Sequence, residues 1–310
     1  MIYTLTLNPA MDKTVVIENF TAGGVNRIST LRVDVGGKGI NVSKCLKSLG
    51  CQSTAAAFWG GAAGQRGIDF LQENGIGSLA VQVDGDTRTN LKIVDPARHE
   101  NTDINEPGPV VTEENVSELI RQLDDHILPG DILILSGSIP KGCPGSIYRD
   151  LISRYQARGA GVYLDADGEN FRLGVTAKPA FIKPNIDELN RYLGGNLTDI
   201  LEIADAAKRF VKQGIREVVV SLGSDGALLV TETACIKAEG LCVPVNSTVG
   251  AGDSMVAAFA CGAQMGLTDC QRLKLAVAIS AASVMCSGTQ APETDTIEKL
   301  YHQVTVREVN

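Results

Sequence analysis

Aromatic side chains are scarce, at 5% of 310 residues with a single tryptophan. That scarcity argues against a base-stacking platform for nucleic acids, and a net charge of −8 means that the surface as a whole repels phosphate backbones. Any anionic substrate must therefore be held by a local cationic site. Histidine is rarer still: His99, His126 and His302 are the only three, and none is spaced with a second ligand as a zinc site would be. A histidine-based triad and a histidine–zinc hydrolase both drop out. Long apolar runs are missing as well. The small-apolar stretches at 255–267 and 275–286 are too short and too polar to span a bilayer. The opening MIYTLTLNP has neither the basic start nor the apolar core of a signal peptide, so none is expected. The eight cysteines (45, 51, 143, 235, 242, 261, 270 and 286) include no CxxC pair. Scattered through apolar segments, they read as buried free thiols in a reducing cytoplasm.

What is present is ordinary globular material, with 44% hydrophobic and 21% charged residues. The length suits two domains or one large α/β domain. With no Pro/Ser-rich linker and no internal repeat, one domain over 1–310 is preferred. Strands are expected at Ile2–Leu7, Ser53–Trp59, Leu79–Val83, Asp131–Leu135, Gly161–Leu164, Ala180–Ile182, Glu217–Ser221 and Ala227–Val230. Helices are expected at 38–49, 65–74, 113–126, 146–157, 186–193, 199–213, 253–266, 269–286 and 293–303. Alternation with fully apolar strands such as ILIL and VVVSL points to a mostly parallel sheet covered by helices on both faces.

Two stretches break the alternation. Residues 13–35 (KTVVIENF, then RISTLRVDV) and 87–105 (TNLKIVD and NTDIN) have period-2 patterns with no helix between them. Two such excursions can pack as a small separate sheet, a lid, or remain ordinary surface hairpins.

The sharpest segment is Ser247-Thr-Val-Gly250-Ala251-Gly252-Asp253-Ser254, followed by a helix of small residues. Glycines ahead of a helix leave backbone N–H groups free at its positive end, which suits a phosphoryl group. Asp253 there can take a proton from an attacking hydroxyl or simply cap the helix. The Gly36-Gly37-Lys38-Gly39 run is not a P-loop: Arg32 stands where the first glycine is needed, and Gly39 where Ser or Thr is needed. No dinucleotide-binding glycine fingerprint is present either.

GGKGINVS (36–43) and VGAGDS (249–254) resemble the two signature regions of the ribokinase-like (PfkB) carbohydrate kinases. The resemblance spans the chain, from LTLNPAMD through SGSIPKG and IKPNIDE to VVVSLGSDGALL. Together, LTLNPAMD, GGKGINVS, DTRTN and SGSIP are similar to the sugar-phosphate branch of that family. It implies a ribokinase-like three-layer α/β sandwich with a mostly parallel central sheet and a small β-sheet lid, and a cytoplasmic enzyme using ATP and Mg2+, with a monovalent cation as an open addition.

The resemblance assigns roles by position. Asp253 is the expected base, with Gly250, Ala251 and Gly252 as the anion hole. Asp12, Gly37 and Asn41 are expected at the sugar hydroxyls, although Asp12 also reads as a turn residue. Lys38 and Arg88, with Arg27 and Asn90 beside them, are candidates for a substrate phosphate. Arg supplies a planar fork and Lys a point charge. Ser138 adds a hydroxyl at the carboxyl edge of the sheet. Lys183, Asn185, Ser221, Gly223, Ser224 and Gly226 are expected at the nucleotide. The resemblance implies that Asn185 and Glu188 organise magnesium through water, as suits a reluctantly dehydrated ion. The pair reads equally as a helix cap with a solvated glutamate, and Gly223–Gly226 as a plain hairpin turn.

A ketohexose monophosphate is the implied acceptor: fructose 1-phosphate first, tagatose 6-phosphate as the close alternative. A neutral-sugar or nucleoside kinase and a silent ligand-binding scaffold stay open behind them. The lid's inward positions are read as Val15, Ile17, Ile28, Leu31, Leu91 and Ile93, too many apolar groups for a free flap. A homodimer through the lids is therefore expected, with Arg27 reaching the neighbour's phosphate, and neither nucleic acid nor a membrane as a partner.

Overall fold

The computed structural model describes residues 1–309. Its main sheet has ten strands in the order β14-β13-β12-β11-β10-β9-β8-β1-β4-β5. Seven run parallel: β1 (Ile2–Thr6), β4 (Ser53–Trp59), β5 (Gly77–Gln82), β8 (Ile132–Ser136), β9 (Gly161–Asp165), β10 (Phe181–Ile182) and β11 (Glu217–Ser221). At one edge, β12 (Ala227–Val230), β13 (Cys235–Ala238) and β14 (Val306–Glu308) continue antiparallel. The sequence patterns miss β13 and β14, short strands that each carry at least one charged residue.

Alternate residues of each central strand feed opposite apolar layers. Leu133, Val162 and Val218 pack on one side with helices α3 (Glu113–His126), α4 (Ile147–Ala157), α5 (Gly168–Thr176), α6 (Ile186–Leu193) and α7 (Ile200–Lys212). Ile134, Tyr163 and Val219 pack on the other with α1 (Lys38–Ser48), α8 (Ala251–Gln264), α9 (Asp269–Val284) and α10 (Thr294–Tyr301). Helix α2 (Gly61–Glu73) closes over β4, where Trp59 is fully buried. Its side chain demands Gly67, at which an added Cβ would lie 2.4 Å from the indole. Helix α2 begins four residues before the expected start, since Gly-Ala-Ala-Gly carries no apolar period. Helix α5 went unread.

The two irregular stretches pair as a second, four-stranded sheet in the order β3-β2-β6-β7, from β2 (Ala10–Val16), β3 (Thr30–Gly36), β6 (Arg88–Asp95) and β7 (Glu100–Asn105). Its register makes it amphipathic. Asp34, Asp12, Asn90 and Asn105 form one cross-strand row, and Arg32, Thr14, Lys92 and Asp103 the next. The opposite face carries Leu31, Val15 and Ile93, then Val33, Lys13, Leu91 and Ile104. The inward reading needs correcting at two positions. Val15, Ile17 and Ile93 are buried against Phe20 and Leu91, but Ile28 and Leu31 are each 52% exposed.

The cysteine expectation also needs correcting. Cys51, just after α1, and Cys261, on α8, are joined as a disulfide although 210 residues apart. Packing of α1 against α8 brings the two thiols together, which spacing along the chain does not reveal. The other six cysteines are free.

Candidate active site

Every parallel strand next to the lid ends at the same edge, where open α/β sheets bind ligands. A cavity of about 450 Å³ opens there between that edge and the polar face of the lid. It is lined by Asp12, Gly37, Lys38, Asn41, Arg88, Asn90, Lys183, Asn185, Glu188, Ser221, Gly250, Gly252 and Asp253. Thirteen expected positions, spread over 242 residues of chain from 12 to 253, thus meet in one place.

Asp253 occupies the first turn of α8 and is only 5% exposed. It does not cap the helix: the N-cap is Gly250, in the left-handed region at φ +87°, with no side-chain cap bond. The Asp253 carboxylate instead accepts from Asn41 Nδ2 at 2.9 Å through Oδ2. Burial pushes its pKa up to about 6, with the charge of Asp165 adding to the rise and Lys38, Asn41 and Lys183 opposing it. A carboxylate poised there is ionised at neutral pH and more basic than a surface aspartate, as a general base requires. The amides of the Gly250–Gly252 turn open the same helix. An added Cβ at Gly252 would lie 3.0 Å from Lys183 Nζ, so this glycine lets the lysine approach the helix start.

Lys38 and Lys183 share a partner that sequence reasoning missed. Asp165, at the end of β9 and almost fully buried, lies 3.4 Å from Lys38 Nζ and 3.4 Å from Lys183 Nζ. Burial works against its carboxylate, but the two ammonium groups outweigh it and hold its pKa below the usual range. The Asp165 charge in turn holds Lys38 firmly protonated. Two cations on one anion leave one positive charge to balance the Asp253 carboxylate and to meet an incoming phosphoryl group.

On the lid, Asp12 Oδ1 accepts from Asn90 Nδ2 at 2.9 Å. Asp12 is held through its side chain, not as a turn residue, and burial raises its pKa. Gly36 makes room for it: an added Cβ there would lie 1.8 Å from Asp12 Oδ2. Gly37 serves its own chain, since at φ +109° an added Cβ would meet Thr6 Cγ2 at 2.7 Å. Arg88 donates to Asn8 O at 3.0 Å and Glu106 O at 3.2 Å, while its Nε has no partner. Lys92 also lines the cavity from the lid face of Asp12, and Lys13 borders it from a neighbouring strand; as single lysines in their strands, neither carried a signal in the sequence.

Asn185 and Glu188 form a reciprocal capping box on α6. Glu188 N donates to Asn185 Oδ1 at 2.7 Å, and Asn185 N donates to Glu188 Oε2 at 2.8 Å. The capping reading is therefore correct, and Glu188 Oε1 remains for the cavity. Six expected residues lie outside the cavity lining: Arg27, Ser138, Gly223, Ser224, Gly226 and Ala251. Gly226 N is taken by Gly223 O, and an added Cβ there would strike Ala238 O at 2.1 Å, so hairpin geometry accounts for that glycine. Ser138 is exposed and accepts from Asn8 Nδ2 at 3.3 Å. Arg27 is exposed on the β2–β3 loop, away from the cavity of its own chain.

A buried base facing a glycine-lined helix start, with fixed cations beside it and a lid above, is the equipment of phosphoryl transfer to a hydroxyl. The class is that of a kinase. Residues 6–296 match the pfkB family carbohydrate kinases, and the chain belongs to that family. It is 34% identical to a 1-phosphofructokinase of Rhodobacter capsulatus, over 99% of this chain and 97% of that one. It is 33% identical to a tagatose-6-phosphate kinase of Staphylococcus epidermidis, over the full length of both. Among solved structures, phosphofructokinase-2 from Escherichia coli in complex with substrates and products superposes with a TM-score of 0.93 at 32% identity, covering 97% of this chain and 98% of that one. The three-layer sandwich with its lid is thus the ribokinase-like fold, and the enzyme is a phosphotransferase with an alcohol group as acceptor. Among the described residues, no helix is long and apolar enough to cross a membrane.

Proposed function

We propose that the chain phosphorylates fructose 1-phosphate at O6 with ATP, yielding fructose 1,6-bisphosphate. The observation that carries this reading is the two-ended cavity: a base and anion hole on α8 at one end, and Arg88 and Lys92, on the lid face that carries Asp12, at the other. A neutral sugar has no use for these two lid cations; a sugar phosphate does. Asp253 takes the hydroxyl proton as the O–P bond forms, and the Gly250–Gly252 amides with Lys183 meet the charge on the moving phosphoryl group. Asp12, Asn90 and Asn41 orient the sugar hydroxyls. Lys38, held by Asp165, lies between the two ends.

Glu188 Oε1 and the Asn185 carbonyl are hard oxygen donors, and no cluster of three acidic, cysteine or histidine ligands exists among the described residues. That donor set fits a magnesium ion held mainly by nucleotide phosphates and water. When bound, such an ion neutralises charge on the β- and γ-phosphates. A complex with potassium is known for the Escherichia coli relative, and a monovalent cation near the helix start remains part of this proposal. A cytoplasmic location is part of this reading, and in that compartment the Cys51–Cys261 link is open to reduction.

The expected kinetic result is a kcat/KM for fructose 1-phosphate at least about 10-fold above that for tagatose 6-phosphate, a difference of some 1.4 kcal/mol. The reverse order would make tagatose 6-phosphate the substrate. Activity on unphosphorylated sugars alone would overturn the reading.

We further propose a homodimer through the lids. Leu31, Val33 and Ile104 stand on the lid face turned away from Asp12, and each is at least half exposed. A second copy offers the same row, so a two-fold axis buries both. A tetrameric inhibited form exists for phosphofructokinase-2 from Escherichia coli. Sedimentation at micromolar concentration is expected to show a dimer, and Leu31→Asp a monomer with weakened sugar-phosphate binding. A fully active monomeric wild type would remove both the dimer and the part of Arg27 in the neighbour's site.

A further inference from the structure

Lys44 takes no part in the steps above, yet it is 8% exposed in the middle of α1. A buried ammonium is unfavourable unless acceptors surround it. Here Nζ donates to Asn41 Oδ1 at 3.4 Å, to Thr289 O at 3.2 Å and toward Thr289 Oγ1 at 3.4 Å, with the Phe70 ring 5.5 Å away. Asn41 precedes Lys44 by three residues, so the two share a helix face. Thr289 belongs to the loop after α9, which lines the cavity with Gly288.

The chemistry of these neighbours dictates which way the Asn41 amide points. A carboxylate only accepts and an ammonium only donates. Asp253 must therefore face the amide nitrogen and Lys44 the amide oxygen, as the distances of 2.9 Å and 3.4 Å show. Without the ammonium, nothing at the oxygen end opposes a half-turn of the amide. That half-turn would put a carbonyl against the Asp253 carboxylate, destabilising the ionised base.

We propose that Lys44 is a positioning residue for phosphoryl transfer: it locks the Asn41 amide with its NH2 toward Asp253 and ties the Gly288–Thr289 loop to α1. The inference rests on Asp253 being the base. Other charged or titratable groups surround both ends of the chain of contacts. Lys44 faces Asp34 of β3, Asp12 of β2, its neighbour Cys45 and Asp253 of α8. Asp253 faces Lys38 from α1, Asp165 from β9 and Lys183 after β10, and Cys45 from α1. Burial lowers the Lys44 pKa while the carboxylates of Asp34, Asp12 and Asp253 support its charge; the buried Cys45 thiol is pushed up to about 12 and stays neutral. Only Lys44 among the cations reaches Asp253 through the Asn41 amide.

The test is the pH profile of kcat for wild type, Lys44→Met and Lys44→Arg. Wild type is expected to lose activity as pH falls through about 6. Lys44→Met is expected to lower kcat about 10-fold and to move that acid limb up by about one pH unit, with KM for ATP within about twofold. Lys44→Arg, which keeps the charge and the donors, restores most of both. In an Asn41→Leu background, Lys44→Met is expected to cost less than about twofold in kcat, because the amide it acts through is gone. Should Lys44→Met fail to fold, Lys44→Gln carries the same comparison, keeping a donor of similar length without the charge and therefore shifting the limb less. An unmoved limb with normal kcat, or an equal loss in the Asn41→Leu background, overturns the proposal. A wild-type profile with no acid limb near pH 6 would instead strike the assignment of Asp253.

Discussion

Asp253→Asn is expected to lower kcat by about 10²–10⁴, the range for loss of a general base, with ATP affinity unchanged. The variant keeps the size of the side chain and an oxygen for Asn41 Nδ2, so the site stays assembled. Stability separates loss of chemistry from loss of fold. Because burial raises the Asp253 pKa from 3.8 to about 6, the native state favours its protonated form. That preference contributes fully below about pH 4 and is lost as pH rises through about 6, where the buried carboxylate must ionise. The amide variant carries no such charge. It is therefore expected to melt at or above the wild-type temperature near pH 8, and the difference should shrink toward pH 4. A variant that keeps most of its activity would remove Asp253 from the mechanism.

Arg88→Ala is expected to raise KM for the sugar phosphate by about 10- to 100-fold, corresponding to about 1.5–3 kcal/mol for a lost charge-assisted contact. KM for ATP should stay within about twofold, since Arg88 stands on the lid strand β6 and the nucleotide candidates follow β10 and β11. Arg88 also ties the lid to the main sheet through Asn8 O and Glu106 O. Arg88→Lys tests that second role: one ammonium keeps a charge for phosphate but cannot hold two carbonyls and a phosphate in a fork. Partial recovery by lysine indicates an electrostatic anchor. An equal rise in both KM values would mean that the lid had collapsed, and the assignment to phosphate would fall.

The lid shows what a period can and cannot tell. Its existence was legible at 13–35 and 87–105, because period-2 patterns without a helix between them must go somewhere other than a doubly wound sheet. Its facing was only half legible. Val15 and Ile93 are buried, but Leu31, on the same face and in register with both, is not. The loop that carries Ile17 and Phe20 covers one part of that face and stops short of β3. Alternation assigns residues to a face; only packing decides which part of the face is covered.

The same division runs through the catalytic residues. Local sequence by itself determined most of the strands and helices, the glycine-flanked start of α8, and the placing of Asp253 in its first turn, because these depend on backbone freedom and on neighbours within a few residues. It could not decide whether Asp253 caps its helix or serves as a base. Tertiary structure decided that, by setting Gly250 in the left-handed region and bringing Asn41, 212 residues distant, to the carboxylate. Asp165 carried no signal of its own, and its part arises only because Lys38 and Lys183 converge on it from α1 and β10. Lys44, too, reads along the chain as one more charge on a helix. Its burial comes from Thr289 and Phe70 closing over it. Pairing energies of this kind depend on distance in space and on exclusion of water, neither of which is written in the order of residues along the chain.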